Sequence, residues 1–470
     1  MDYEDEQNED ILLTITRKDL ERFFAIGIVG ILFTVFLCIC MTGRGSSKTS
    51  GMGDEDDGSL FESDCDSNVE QVAGRPEGHG SSTAILGCVP FDNPIGRCHP
   101  ALDVDRRNGE LFVYGGETEE SLLGDLHQYK HRDVHWDEST QSGTLPGRRS
   151  LHTLVSLDGI LFLYGGVCDS EIPLDPCMYV FHVAAKEWRR LEHAGSEDLP
   201  SRCAHSMCLW DNQSLVVFGG FASKEEFFND VWTFDLQQLQ GLIGSEGFSE
   251  SPSSSRWDKI VPRSNSYCPP ARAHHWTVVV ENMLIVLGGE DASGAASLAA
   301  PGEIELLDIP GKAWSTKPTT GMGPTHASNM SCHYFPSSKQ IFVISNENAG
   351  IFNQLFLLHT PLTRPTWTNV GVEWQGDWTL IPGFRTDYRA AADPVTGTVL
   401  VFGGSACSGE MHDMLLVLDL SRVVKLEAGE SDRSDAPEPK AGTLHDRILQ
   451  SGFTGMRESL RDAAVASAEL

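Results

Sequence analysis

The chain has 470 residues, with 35 Lys and Arg against 67 Asp and Glu and a formal net charge of -32. A surface with this charge repels nucleic acid and anionic lipid headgroups and attracts cationic partners, so we expect no nucleic-acid function. The length fits one large core or two to three ordinary domains.

Acidic segments lie on both sides of one apolar stretch near the start of the chain. Residues 1–22 begin with MDYEDEQNED, and residues 42–80 contain GDEDDGSLFESDCD. Both compositions are typical of solvated segments without a core. We therefore interpret 1–22 as an acidic tail and 42–80 as a flexible acidic stalk.

The apolar stretch, FFAIGIVGILFTVFLCICM at residues 23–41, carries no charged residue. As a helix it would be roughly 28 Å long at about 1.5 Å per residue, enough to cross a bilayer. A cleaved signal peptide would have a basic start and a shorter apolar core. The sequence therefore predicts a single-pass membrane protein with a permanent helical anchor.

Basic residues near the anchor predict its orientation. Three precede the span and two follow it: Arg17, Lys18, Arg22, Arg44 and Lys48. This difference favours a cytoplasmic N-terminus and a lumenal or extracellular C-terminal part over a cytosolic one. Two glycosylation sequons, at Asn212 and Asn329, could be used in that compartment.

One apolar string ending in two glycines recurs through the chain. The copies are LFVYGG (111–116), LFLYGG (161–166), LVVFGG (215–220), LIVLGG (284–289) and VLVFGG (399–404), with IFVISN (341–346) as a copy without the glycines. Unbroken apolar runs predict strands buried on both faces. The glycines predict positive φ angles or close backbone approach where each strand ends.

Flanking residues keep a constant spacing from these strings. An arginine precedes most of them: Arg97, Arg149, Arg202, Arg272 and Arg385. Three of these arginines are followed three residues later by a histidine: His152, His205 and His275. A tryptophan follows five of the strings: Trp136, Trp188, Trp257, Trp314 and Trp367. Each unit therefore predicts four short antiparallel strands.

The pattern resembles the kelch repeat over residues 81–427. That resemblance implies an all-β fold, a six-bladed kelch-type β-propeller, here preceded by one transmembrane helix. The fifth repeat departs from the pattern, with His326 and Asn329 for the arginine and histidine, and the sixth lacks the tryptophan. The last blade could be closed by residues 82–89 or by residues 423–427.

Acidic residues follow the glycine pairs in almost every repeat. We predict that they form one binding face: Glu117, Glu119, Glu120, Asp169, Glu171, Glu225, Glu226, Glu290, Asp291 and Glu410. The repeat arginines approach the same end of the fold. They either hold loops within the scaffold or line a central pocket, as the corresponding arginines do in kelch proteins that bind acidic peptides.

These features favour a membrane-anchored interaction scaffold or adaptor whose acidic face binds a protein partner with a basic surface or peptide. The sequence contains no metal-site spacing, phosphate loop or hydrolase motif, so we predict no cofactor and favour a non-enzymatic role. The alternative is a membrane-tethered carbohydrate-active propeller enzyme, mutarotase-like or galactose-oxidase-like. Residues 428–470 form a polar tail that is either partly helical or disordered.

Overall fold

The computed structural model describes residues 83–424 except 90–92, 131–133, 169–175, 194–198, 241, 245–246, 250–253, 295–301, 325–329, 346–353, 361, 375–384 and 407–408. The predicted segments 1–22, 23–41, 42–80 and 428–470 lie outside the described residues. Within the described part, no helix has the length and apolar character needed to cross a membrane.

The fold consists of strands. The first ten are β1 (Thr83–Val89), β2 (Ala101–Asp105), β3 (Glu110–Glu117), β4 (Leu122–Lys130), β5 (His135–Glu138), β6 (Ser142–Gly143), β7 (Arg149–Ser150), β8 (Thr153–Leu157), β9 (Ile160–Tyr164) and β10 (Val167–Cys168). The next ten are β11 (Met178–His182), β12 (Glu187–Arg190), β13 (Glu192–His193), β14 (Ser206–Trp210), β15 (Ser214–Phe218), β16 (Phe221–Ser223), β17 (Glu226–Phe227), β18 (Val231–Asp235), β19 (Ser254–Ser255) and β20 (Asp258–Ile260). The remainder are β21 (Trp276–Val280), β22 (Met283–Leu287), β23 (Glu303–Asp308), β24 (Ala313–Pro318), β25 (Met330–Phe335), β26 (Gln340–Ser345), β27 (Gln354–His359), β28 (Thr366–Trp374), β29 (Thr386–Asp393), β30 (Thr398–Ser405) and β31 (Leu415–Asp419). A short 3-10 helix spans Leu236–Leu239.

The strands pair into four-stranded antiparallel sheets. We number them sheet 1 (β2, β3, β4, β5), sheet 2 (β8, β9, β11, β12), sheet 3 (β14, β15, β18, β20) and sheet 4 (β21, β22, β23, β24). An eight-stranded sheet has two antiparallel halves, sheet 5 (β25, β26, β27, β28) and sheet 6 (β29, β30, β31, β1). Shorter pairs join β6 to β12, β7 to β10, β13 to β19 and β16 to β17.

The first strands of these sheets form a closed circle. Each contacts the first strand of the next sheet, in the order β2, β8, β14, β21, β25, β29 and back to β2. A radial arrangement of four-stranded sheets around a shared axis is a β-propeller. The repeat copy that lacks the glycine pair supplies the second strand of sheet 5, Gln340–Ser345, like its counterparts elsewhere.

Strand β1 closes the circle. It pairs antiparallel with β31, with Leu86 opposite Leu418, and parallel with β28. Closure therefore uses the N-terminal strand, which resolves the two possibilities left open by the sequence. Val423 and Val424 instead lie in a turn after β31, and residues 425–427 lie outside the described residues.

The hydrophobic core lies between neighbouring sheets. Phe162 of sheet 2 and Val217 of sheet 3 belong to one buried cluster, together with Trp257. Trp188, in the outer strand of sheet 2, packs edge-on against Tyr114 of sheet 1 with ring centroids 5.4 Å apart. Burying an aliphatic or Phe side chain of this kind contributes about 1.5–3 kcal/mol, so these contacts stabilise the packing of neighbouring sheets.

The glycine pairs have the backbone role that the sequence predicted. In every pair both residues have positive φ, for example 59° at Gly115 and 100° at Gly116. A Cβ atom on Gly115 would lie 2.6 Å from the carbonyl oxygen of Arg149, in the next repeat. The pair thus passes between the arginine segments of two adjacent repeats, where no side chain fits.

Candidate binding site

The five repeat arginines are buried inside the scaffold, at 0–1% exposure. In three repeats the guanidinium group binds a carboxylate from the third strand of its own sheet or the residue before it. These pairs are Arg97–Asp125 at 2.7 Å, Arg202–Asp230 at 2.8 Å and Arg272–Glu305 at 2.7 Å. The same arginines donate to the carbonyl oxygen of the first glycine of the pair, so they hold the loops at the end of each sheet.

The other two arginines bind carbonyl groups instead. Arg149 donates to the carbonyl oxygens of Gly165 and Pro146 and lies over the ring of Tyr179. Arg385 donates to the carbonyl oxygen of Met414 at 3.2 Å. None of the five arginines lines the axial cavity of the propeller. Their contacts instead hold loops within the scaffold, which was one of the two roles expected from the sequence.

A cavity of about 120 Å³ lies on the axis, at the end of the first strands where the glycine pairs lie. Every sheet contributes to its wall, and histidine is the most frequent polar residue in it. The polar lining residues are His99, His152, Thr153, His205, Ser206, His274, His275, Thr277, Asp387, Tyr388 and Arg389.

Residues in the left-handed backbone region surround the axial cavity at its mouth. Each lies two positions after a repeat arginine, with φ between 49° and 58°: His99, Leu151, Ala204, His274 and Asp387. Backbone hydrogen bonds of 2.9–3.0 Å join His99 to Asp387, Ala204 to Leu151 and His274 to Ala204. Non-glycine residues in this region are strained and concentrate at functional sites, so the mouth is a candidate recognition site.

Below the mouth, imidazoles pair with hydroxyl groups of the preceding sheet. His205 Nε2 lies 2.8 Å from Thr153 Oγ1, and His275 Nε2 lies 2.9 Å from Ser206 Oγ. Burial, aided by the nearby repeat arginine, lowers the pKa of both histidines, that of His275 to about 3. Both imidazoles are therefore neutral near pH 7.

His99 is the exception to this neutral set. Its Nδ1 lies 3.0 Å from Glu117 and its Nε2 lies 3.1 Å from Asp387. Burial disfavours its charged form, but the two carboxylates outweigh that effect and raise the pKa of His99 to about 9. The imidazolium bridges sheets 1 and 6 and faces the ring of His274 across the axis at 6.3 Å.

The acidic face predicted from sequence divides into buried and exposed groups. Glu117 is 6% exposed, and its carboxylate accepts a hydrogen bond from Ser150 while binding His99. Glu117 is therefore a buried acid. Its assignment to the acidic binding face was wrong, because β3 continues past the glycine pair and ends at Glu117. Glu290 is partly buried, 3.7 Å from His274, and Asp291 binds Ser293 in its own turn.

The remaining described acids are solvent-exposed: Glu119, Glu120, Glu225, Glu226 and Glu410. The loops of sheets 1 and 6 approach each other here, since Glu119 Oε1 lies 3.8 Å from the position of a Cβ on Gly409. Two of the exposed acids belong to the β16–β17 hairpin, whose Phe221 and Phe227 rings stack at 5.2 Å.

Some predicted sites lie outside the described residues, namely Asp169, Glu171 and Asn329. Asn212 is exposed in the turn between β14 and β15. Among the residues with a described placement, no cluster of three His, Cys, Asp or Glu side chains is arranged to hold a metal ion.

Sequence reasoning missed His99, Asp387 and Arg389 as neighbours. The signal was present in the repeat register, because His99 and Asp387 both stand two residues after a repeat arginine. Aligning the repeats at the position two residues after each arginine would have identified the residues at the mouth. We instead compared the arginines and the histidines on either side of that position. Arg389 has no counterpart in the other repeats, so only the fold places it on the axis.

The model of the KLHDC2/KLHL20/DRC7 kelch-repeats domain matches this chain at residues 88–240 and 152–377. Together these ranges cover more than half of the 470 residues. The chain belongs to the kelch-repeat family. This membership agrees with the resemblance found in the sequence and with the closed circle of sheets.

Relatives show the same similarity over part of their length. Adagio-like protein 3 of Oryza sativa subsp. japonica is 29% identical over 328 residues, which is 65% of this chain and 47% of the relative. Kelch domain-containing protein 2 of Bos taurus is 33% identical over 134 residues, or 27% and 32% of the two chains. Leucine-zipper-like transcriptional regulator 1 homolog of Drosophila melanogaster is 21% identical over 277 residues, or 50% and 27%. Each match spans less than half of the relative's own length.

Proposed function

We propose that this kelch-repeat protein is a protein-interaction scaffold, built as a six-bladed propeller in which sheets 1 to 6 are the blades. Its binding surface is the end of the propeller that carries the glycine-pair loops. The observation that carries the proposal is the group of exposed carboxylates contributed there by separate loops, Glu119, Glu120, Glu225, Glu226 and Glu410. Such a surface attracts a partner with a basic patch or peptide.

The proposed setting of this scaffold is a membrane. The apolar residues 23–41 would anchor the chain, the acidic residues 42–80 would act as a stalk, and the propeller would face the lumen or the extracellular space. This part of the proposal rests on the sequence, through the length of the apolar stretch and the excess of basic residues before it.

The binding proposal is tested with a fluorescent nine-residue poly-lysine peptide and anisotropy measurements on the full chain. Reversing Glu119, Glu120, Glu225 and Glu226 to Lys should weaken binding at least about tenfold, and added salt should weaken binding to the unmodified chain.

The matched control reverses four exposed acids at other surfaces, namely Glu138, Asp211, Asp258 and Glu281. It changes the net charge equally, so it separates a local binding face from general attraction to an acidic protein. Equal weakening in both variants would refute the proposed face.

A further inference from the structure

Exposed apolar side chains are concentrated at one end of the propeller. Among the described residues, six large hydrophobic side chains are at least 40% exposed. Five of them lie in loops that lead from the last strand of one sheet to the first strand of the next, namely Ile95, Leu145, Val261, Tyr267 and Met322. The sixth, Val395, lies in the turn between β29 and β30. Isolated exposed apolar residues are ordinary, but their restriction to one kind of loop indicates a surface with a role of its own.

The end that carries these loops is also the acidic end. In each antiparallel pair the start of the first strand lies beside the end of the second, as Ala101 lies beside Tyr114. A loop that leads into a first strand therefore lies at the same end as the glycine pairs and the exposed acids that follow them. The turn that holds Val395 joins a first strand to a second, so it lies at the opposite end.

One apolar loop contacts an acidic loop where sheet 6 meets sheet 1. Gly96 follows Ile95, and a Cβ atom on it would lie 2.6 Å from the carbonyl oxygen of Met411. Met411 in turn follows the exposed Glu410. An apolar side chain and a carboxylate are therefore presented by two loops in direct contact.

A second contact of this kind lies between sheets 3 and 4. Asn229 Nδ2 donates a hydrogen bond of 2.9 Å to the carbonyl oxygen of Pro269. Pro269 belongs to the loop that carries Val261 and Tyr267, and Asn229 follows the β16–β17 hairpin with its exposed acids. Apolar and acidic groups therefore lie side by side at two separate places on this face.

The repeat arginines fix the backbone of the apolar loops. Arg97 Nε donates to the carbonyl oxygen of Ile95 at 3.0 Å. Arg149 donates to the carbonyl oxygen of Pro146, the residue after Leu145. Because these loops are ordered before a partner arrives, less conformational entropy is lost on binding.

We propose that this face binds a cationic amphipathic segment of another protein. Its apolar side chains contact Ile95, Leu145 and Val261, while its lysines and arginines pair with the exposed acids. The inference rests on the proposed function, because it concerns the same face, and it narrows the partner from any basic surface to an amphipathic one. Charge complementarity selects this occupant, since a second copy of a chain with a net charge of -32 would be repelled.

The probes are two fluorescent peptides with the same lysines, interleaved either with leucines on one helical face or with serines at the same positions. Their binding to the full chain is measured by anisotropy. The combined variant Ile95→Ser, Leu145→Ser and Val261→Ser should weaken binding of the lysine–leucine peptide at least about tenfold, because it removes apolar area that the complex buries. Its affinity for the lysine–serine peptide should not change, since every acid is kept.

Val261→Ser and Val395→Ser form a matched pair, because the two valines are 69% and 66% exposed at opposite ends. Only Val261→Ser should weaken binding of the lysine–leucine peptide. Unchanged affinity in the combined variant, or equal weakening for both peptides, would overturn the inference. So would a dimer of the unmodified chain, seen by sedimentation, that the combined variant abolishes, because the apolar residues would then serve self-association.

The variant with reversed Glu119, Glu120, Glu225 and Glu226 separates this inference from the proposed function. It should weaken binding of both peptides, since both carry the same charge. If it does so while the combined serine variant binds both peptides normally, the acidic face stands and the amphipathic partner is refuted. If it weakens neither, the acidic face itself is refuted.

Discussion

The backbone amide of Gly404 donates a hydrogen bond of 2.8 Å to the carbonyl oxygen of Arg97, and this bond joins the last repeat to the first. The equivalent bonds, from Gly166 to Arg202 and from Gly220 to Arg272, join consecutive repeats. The glycine before each of these is packed against the same carbonyl group. The glycine pairs are therefore part of the contacts between repeats as well as the ends of strands.

Replacing Gly403 by Ala should destabilise the propeller strongly. Gly403 has a φ of 76°, and an added Cβ would be in hard contact with the Arg97 carbonyl oxygen. Gly147→Ala is the control, since Gly147 has a φ of 80° but no atom within 4 Å of the added Cβ. We expect a loss of about 1–2 kcal/mol for the control from backbone strain alone and more than about 3 kcal/mol for Gly403→Ala in urea denaturation. Equal losses would show that strain, and not the contact with Arg97, decides this position.

Removing the counter-ion of a repeat arginine should be costly. In Asp230→Asn the buried guanidinium of Arg202 would lose its bidentate carboxylate partner, so we expect a loss of about 3–5 kcal/mol in the free energy of unfolding. Asp258→Asn breaks the exposed pair with Arg256 and should cost less than about 1 kcal/mol. If both variants unfold at the same urea concentration, the repeat arginines do not hold the loops as described.

Much of this scaffold could be predicted from sequence. The apolar runs, glycine pairs and tryptophans are local patterns with a fixed spacing, and each corresponds to a strand or a turn. The mouth could not be predicted in the same way. His99, His274 and Asp387 come from repeats far apart in the chain, and their proximity depends on the closure of the circle. Glu117 was misplaced for a related reason, since its burial depends on Ser150 of the next repeat.

Acid should destabilise the propeller through its neutral imidazoles. Burial lowers the pKa of His274, His275 and His333 to about 3. Since these values lie below the ordinary value of about 6.5, the unfolded chain binds more protons below that pH. Each histidine then reduces the free energy of unfolding by about 1.4 kcal/mol per pH unit below 6.5, with no effect above it.

Urea denaturation at pH 7.5, 6.5 and 5.5 measures that slope. His333→Gln should flatten it, whereas His135→Gln, which changes a side chain that is 54% exposed, should leave it unchanged. An unchanged slope in His333→Gln would contradict a buried neutral imidazole at that position.

His99 should give a dependence of the opposite sign. Its folded-state pKa is raised to about 9, so its contribution to stability is complete below about pH 6.5 and is lost as the pH rises through about 9. The free energy of unfolding should therefore fall between pH 7 and pH 10 in the unmodified chain, and this fall should be smaller in His99→Gln. A fall of equal size in both proteins would assign the alkaline transition to another group.

The orientation of the chain in a membrane can be measured on intact vesicles. If residues 23–41 cross the bilayer and the propeller is lumenal, protease should digest the propeller only after detergent is added. Asn212, which is exposed in its turn, should then carry a glycan that glycosidase removes, and Asn212→Gln should abolish that shift in mobility. Digestion without detergent, together with no glycan, would place the propeller on the cytosolic side.

The position of β1 between β28 and β31 has a consequence for biosynthesis. A ribosome makes β1 before any other strand of the propeller, yet both of its neighbours, which reach as far as Asp419, are made near the end. Pairing over such a separation carries a large loop-closure entropy and delays folding. Strand β1 thus has no partner until nearly the whole propeller has emerged. A nascent chain halted earlier would present the unpaired β1 to chaperones or to other chains.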